Sequence, residues 1–102
     1  MNKYHAVKTE VDGIVFASKK EAKRYGELKL LLRGELISCL ELQKAFPLAV
    51  NGVQICKYVA DFVYRACSGH LIIEDTKGQK TPVYQIKKKL MLACHGIHIL
   101  ET

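Results

Sequence analysis

Tyr58-Val59-Ala60-Asp61-Phe62-Val63-Tyr64 and, a short turn later, Ile72-Ile73-Glu74-Asp75-Thr76-Lys77-Gly78 decide how this chain reads. Both are strand-like apolar runs that carry acids, which strands disfavour. In the first run, Val59 and Val63 share the face of Asp61 under strict alternation, while Ala60, Phe62 and Tyr64 take the other. Apolar residues on both faces predict a central, buried strand. A buried aspartate there must be paired or must hold a metal; Arg65 or a lysine is the structural alternative. In the second run, alternation puts Leu71, Ile73, Asp75 and Lys77 on one face and Ile72, Glu74 and Thr76 on the other. A lysine and a carboxylate that serve one phosphate must converge. That selects Asp75 with Lys77 and leaves Glu74 behind, unless a bulge intervenes. The turn at Ser68-Gly69 makes the two strands neighbours, so Asp61 and Asp75 can share a cation.

Outward from these strands, Asn51-Gly52 is a strong hairpin signal. It pairs residues 53–66 with a strand over 36–50 that is interrupted or ends near Pro47. Asp12-Gly13 predicts another hairpin and makes residues 4–16 a β-ribbon. Ser18 starts a helix, with Glu21 at capping-box spacing and Gly34 at the end. Glu21, Tyr25, Leu28 and Leu32 lie on one stripe of that helix. Thr81-Pro82 starts a second helix, whose core stripe reads as Val83, Ile86, Leu90, Ala93, Cys94 and Ile97. Gly96 closes it, and residues 97–100 form a last strand. The expected fold is α/β: N-terminal ribbon, helix, three strands, helix, strand, with a mixed sheet flanked by helices.

A length of 102 residues, 49% of them hydrophobic, predicts one folded domain over 1–102. The net charge is +6, with sixteen Lys and Arg against ten Asp and Glu. Four of those acids are Glu21, Asp61, Glu74 and Asp75, so the remaining surface is more basic still and suits a polyanion such as nucleic acid. Cys39, Cys56, Cys67 and Cys94 show no C-x-x-C spacing, which argues against a zinc knuckle. His5, His70, His95 and His98 show no metal-ligand spacing either. No apolar run nears the roughly 20 residues of a membrane span, and the N-terminus has no signal core. The expectation is a cytoplasmic protein without a membrane partner.

Acid, acid and acid-x-Lys on a small basic chain are what a metal-dependent phosphodiester nuclease requires. Glu21, Asp61 and Asp75 would bind Mg²⁺, with Mn²⁺ as a substitute. Lys77 would orient or deprotonate water, or stabilise the charged transition state. Glu21 has a plainer alternative as the capping-box partner of Ser18. Gln43 is a further candidate for contact with metal-bound water or phosphate, and equally for a solvent-facing strand end. Lys80, Lys87, Lys88 and Lys89 could meet the nucleic-acid backbone, although a solvated helix face is the commoner fate of such lysines.

In this order, Glu21, Asp61, Asp75 and Lys77 resemble the motifs of the restriction-endonuclease-like, or PD-(D/E)XK, nuclease superfamily. The proline before the motif aspartate is replaced by Ala60. The phrases Tyr4-His5-Ala6, Asp12-Gly13-Ile14-Val15-Phe16, Ser18-x-x-Glu21-Ala22, Ala60-Asp61-Phe62 and Glu74-Asp75-Thr76-Lys77-Gly78 are also similar to a family of small phage and prophage proteins. Asp-Phe and Thr-Lys-Gly at this spacing resemble the phage endonuclease I family of Holliday-junction resolvases. The resemblance implies a restriction-endonuclease-like core and Mg²⁺-dependent cutting of branched DNA in a bacterial host cytoplasm. Two symmetric cuts would call for a homodimer, with the ribbon of residues 4–16 as the first candidate contact. The competing expectations are a nuclease for flaps, nicked or plain duplex, and a catalytically silent DNA-binding module of the same fold.

Overall fold

A computed structural model describes residues 7–76 and 80–102. The elements are β1 (Thr9–Val11), β2 (Ile14–Phe16), α1 (Lys19–Arg33), β3 (Ile37–Val50), β4 (Val53–Ala66), β5 (Leu71–Asp75), α2 (Pro82–His95) and β6 (Leu100–Glu101). A four-stranded mixed sheet has the order β3-β4-β5-β6, antiparallel except for the parallel β5–β6 pair. The β1–β2 hairpin is a separate two-stranded sheet. The chain is therefore α/β in the expected element order.

The turns follow their chemistry. Asp12 and Gly13 have φ of 55° and 76°, and Asn51 and Gly52 have 51° and 79°. Two successive left-handed residues make the turn whose twist matches paired strands. Ser18 caps α1 by accepting from the Glu21 backbone N–H, and Thr81 caps α2 by accepting from that of Tyr84. Gly96 ends α2 with φ of 67°, and its N–H reaches the Leu92 carbonyl.

Two clusters fill the two faces of the sheet. Under α2 lie Leu48, Tyr58, Ala60, Val63, Ile73, Tyr84, Met91 and Ile99. Under α1 lie Phe16, Ala22, Tyr25, Leu28, Ile37, Phe62 and Tyr64. The ribbon rests on α1, with the Phe16 and Tyr25 rings 5.0 Å apart and the Tyr25 hydroxyl donating to Asp12 Oδ2 at 3.1 Å. Burial raises the Tyr25 phenol pKa, and the Asp12 carboxylate adds to the rise. The ribbon thus covers a helix rather than an edge of the main sheet; its expected first residues, 4–6, lie outside the described residues.

β3 continues through Pro47, as an edge strand allows, and the interruption expected near it takes the form of a register shift between Leu48 and Ala49. Two expectations are corrected. The buried positions of α2 are Tyr84 and Met91, with Leu90 and Cys94 partly covered, while Val83 and Ile86 are about 60% exposed. A tyrosine and a methionine occupy the stripe that aliphatic spacing had assigned elsewhere. Finally, the last strand shrinks to two residues, although Ile99 just before it is buried.

Alternation also fails in β4, and this failure shapes the site. Ala60 packs towards α2, whereas Phe62 packs towards α1. In β3, Phe46 and Leu48 join the α2 cluster, whereas Leu40 and Leu42 join the α1 cluster. Both strands switch faces between the pairs Leu42–Phe62 and Lys44–Ala60. Gln43 and Asp61 stand opposite each other at that break, and Gln43 has a left-handed φ of 52°. The expected sharing of one face by Ala60, Phe62 and Tyr64 is overturned, and so is full burial of Asp61, which is half-buried.

Candidate active site

Glu21 enters the site from the first turn of α1 and is 5% exposed. Its two carboxylate oxygens have different tasks. Oε2 accepts from the Ala17 backbone N–H at 3.2 Å, and Oε1 accepts from Gln43 Nε2 at 3.1 Å. Glu21 therefore acts at the helix start and faces the site in a single rotamer.

The Gln43 amide nitrogen also lies 3.5 Å from Asp61 Oδ1. It bridges the two carboxylates. The other oxygen of Asp61, Oδ2, accepts from the Thr76 backbone N–H at 2.8 Å. Glu21, Gln43 and Asp61 line a cleft of about 230 Å³ together with Leu42 and residues 14–17. Desolvation by burial pushes the Glu21 carboxyl up to about 7, and the nearby charge of Asp61 adds to the rise. Among the described residues neither Glu21 nor Asp61 has a cationic partner. The expected structural alternative, Arg65, donates instead to the Gly69 carbonyl at 3.0 Å.

Glu74 and Asp75 point to opposite faces of β5, as alternation requires. Glu74 is fully buried on the α1 side, where Arg24 grips it with Nε–Oε1 at 2.8 Å and Nη2–Oε2 at 2.7 Å. The Tyr64 hydroxyl also donates to Glu74 Oε2. The hydrogen bond to Glu74 raises the Arg24 pKa, and burial holds the Tyr64 phenol up at about 12. Glu74 is thus the anchor of a buried ion pair. Asp75 is 1% exposed on the α2 side and accepts from the Tyr58 hydroxyl. It is the cross-strand neighbour of Asp61, one step beyond the pair Phe62–Glu74. Burial and then the hydrogen bond to Asp75 raise the Tyr58 phenol pKa, with a smaller contribution from Asp61.

The structure thus brings Glu21, Gln43 and Asp61 together, while Asp75 is the cross-strand neighbour of Asp61 with its side chain buried against Tyr58. Lys77 lies outside the described residues. Among the described residues no three His, Cys, Asp or Glu side chains converge as a ready-made metal group. A pair of hard carboxylate oxygens with a raised Glu21 pKa nevertheless suits Mg²⁺, which commonly takes one or two carboxylates and fills its remaining positions with water and phosphate.

The lysines after the site divide. Lys80 Nζ and Lys88 Nζ meet Glu101 at 3.0 and 3.3 Å. The Tyr84 hydroxyl donates to the same carboxylate at 2.7 Å, and these contacts hold the Glu101 pKa down at about 2. Both lysines are therefore engaged within the protein. Lys87 is half-buried and Lys89 exposed on α2. Arg24, Tyr58 and Tyr64 had not been singled out from the sequence. Arg24 lies one turn from Glu21, but no spacing rule links it to a strand fifty residues away.

All four cysteines are free, and among the described residues no helix is long and apolar enough to cross a membrane. No curated protein and no solved structure matches the chain. The model of DUF1064, a family of proteins of unknown function, matches residues 1–96, and the chain belongs to that family.

Proposed function

We propose that this protein is a Mg²⁺-dependent DNA endonuclease acting on branched DNA. The observation that carries the reading is the pair Glu21 and Asp61, tied through Gln43 at the break in the sheet and lacking a cation among the described residues. Two carboxylates held together at a half-open cleft are costly without a counter-charge. Burial and mutual repulsion already raise the pKa of one of them.

Glu21 and Asp61 would hold the metal, joined by Asp75 from the adjacent strand. A bound divalent ion supplies charge neutralisation at the phosphate and acidifies water. The chain supplies the positioning. Gln43 fixes the facing oxygens of both carboxylates, and the Thr76 N–H fixes the rotamer of Asp61. Lys77, two residues beyond Asp75, is the candidate for stabilising the transition-state charge or for handling the attacking water. Mn²⁺ would substitute for Mg²⁺.

Branched DNA as substrate, action in a bacterial cytoplasm and a two-fold dimer follow from the motif resemblance and from the need for two symmetric cuts. Incubating labelled four-way junction, flap, nicked and linear duplex with Mg²⁺ or chelator tests the reading. Metal-dependent cutting that favours the junction supports it. Binding without cutting in any metal would replace it with a silent DNA-binding module.

A further inference from the structure

A second cleft, of about 210 Å³, is lined by Lys20, Lys23, Arg24, Glu27, Thr76 and Thr102, and Thr76 ties it to Asp61 of the first through its backbone N–H. We infer that it is a phosphate subsite, which holds a backbone phosphodiester of a nucleic-acid strand next to the one at Glu21 and Asp61. The inference rests on the nuclease reading only for the neighbouring phosphate; its own ligand chemistry comes from the cleft.

Arg24 lines it, and each of its three guanidinium nitrogens already has an acidic partner. Its Nε and Nη2 hold Glu74, and its Nη1 holds Glu27 at 3.1 Å. Glu27, the one acidic side chain in the lining, is thereby drawn onto Arg24. Lys20 and Lys23 are exposed and have no acidic partner among the described residues. They sit in the first turns of α1, where the helix dipole disfavours cations. Their presence there is not explained as helix stabilisation, and an anion between them would relieve the repulsion.

Thr76 and Thr102 complete the lining. The Thr76 and Thr102 hydroxyls lie 3.2 Å apart, and the Thr102 N–H donates to the Asp75 carbonyl at 3.1 Å. Two lysines and two threonine hydroxyls around one cleft suit the unesterified oxygens of a phosphodiester. Thr76 connects the clefts, since its hydroxyl faces this one while its N–H holds Asp61. A strand lying across Thr76 would present successive phosphates to the two sites.

The test measures binding, not cutting. Labelled junction and single-stranded DNA are titrated in chelator over a range of salt with four proteins. These are the wild type, the double variant Lys20→Gln/Lys23→Gln, Lys29→Gln as a same-helix control, and Asp61→Asn. The double variant is expected to lose about ten-fold or more in affinity and to lower the salt slope by about 1 for each phosphate contact removed. Lys29→Gln should stay within about two-fold of wild type. Melting curves confirm that all four are folded. A double variant matching Lys29→Gln in affinity and slope, or no salt-sensitive binding by wild type, would overturn the subsite. If wild type binds through these lysines but never cuts with Mg²⁺ or Mn²⁺, the nuclease reading fails while the subsite stands.

Discussion

Glu21 of α1 and Asp61 of β4, forty residues apart in the chain, share the side-chain amide of Gln43, whose Nε2 lies 3.1 Å from one carboxylate and 3.5 Å from the other. Neutral donors soften the repulsion between two acids but do not cancel it. Burial first, and the charge of Asp61 second, raise the Glu21 pKa, so between about pH 4.5 and 7 the native state holds a proton that the unfolded chain releases.

That relationship gives stability a pH dependence of definite sign. The Glu21 pKa rises from 4.5 to about 7 on folding. Between those values the native state binds more protons than the unfolded state, so this group's contribution falls as pH rises through the window. Above pH 7 without metal, Glu21→Gln should raise stability by about 1 kcal/mol after solvent screening, or about 4–8 °C in Tm. Below pH 4.5 the gain should vanish. Added Mg²⁺ should stabilise wild type and not the variant. Lower stability at every pH with near-normal cutting would leave Glu21 as a helix-start residue alone, since cap loss costs about 0.5–2 kcal/mol.

The adjacent acids of β5 should fail differently. Glu74→Gln strips the partner from Arg24 and should cost about 3 kcal/mol of stability, with single-turnover cutting by the folded fraction retained. Asp75→Asn should abolish cutting at a smaller cost in stability. Denaturant titration paired with single-turnover rates separates the two. A dead but stable Glu74 variant would show that the wrong face of β5 had been assigned to chemistry.

Gln43 tests positioning. Gln43→Gly keeps the left-handed backbone at no steric cost and removes the amide that ties Glu21 to Asp61. Stability should change by less than about 1 kcal/mol, while the cutting rate falls about ten-fold or more and tighter metal dependence appears. An unchanged rate would reduce Gln43 to a bystander at the sheet break.

Much of the fold was legible because local chemistry fixed it. Asp12-Gly13 and Asn51-Gly52 placed two hairpins, and Ser18, Thr81-Pro82 and Gly96 placed helix ends. The stripe Glu21-Tyr25-Leu28 was legible for the same reason, since a helix repeats regularly. Alternation also separated Glu74 from Asp75. It could not foresee the face switch at Gln43 and Asp61, because that break is a matched distortion of two strands and leaves no glycine or proline as a signal. The pairing of Arg24 with Glu74 and of Lys80 and Lys88 with Glu101 was illegible because each depends on tertiary placement alone. The buried stripe of α2 was misread because Tyr84 and Met91 fill it in place of the more regular Val83 and Ile86.

The most direct test of the central claim is cleavage of a labelled four-way junction by wild type and Asp61→Asn, each with Mg²⁺ and with chelator. The account predicts cutting only by wild type with Mg²⁺, loss of cutting in Asp61→Asn with junction binding retained, and slower cutting of a matched linear duplex. Equal cutting in chelator, or full activity in Asp61→Asn, would contradict the assignment of Glu21 and Asp61 as the metal-holding pair of a nuclease.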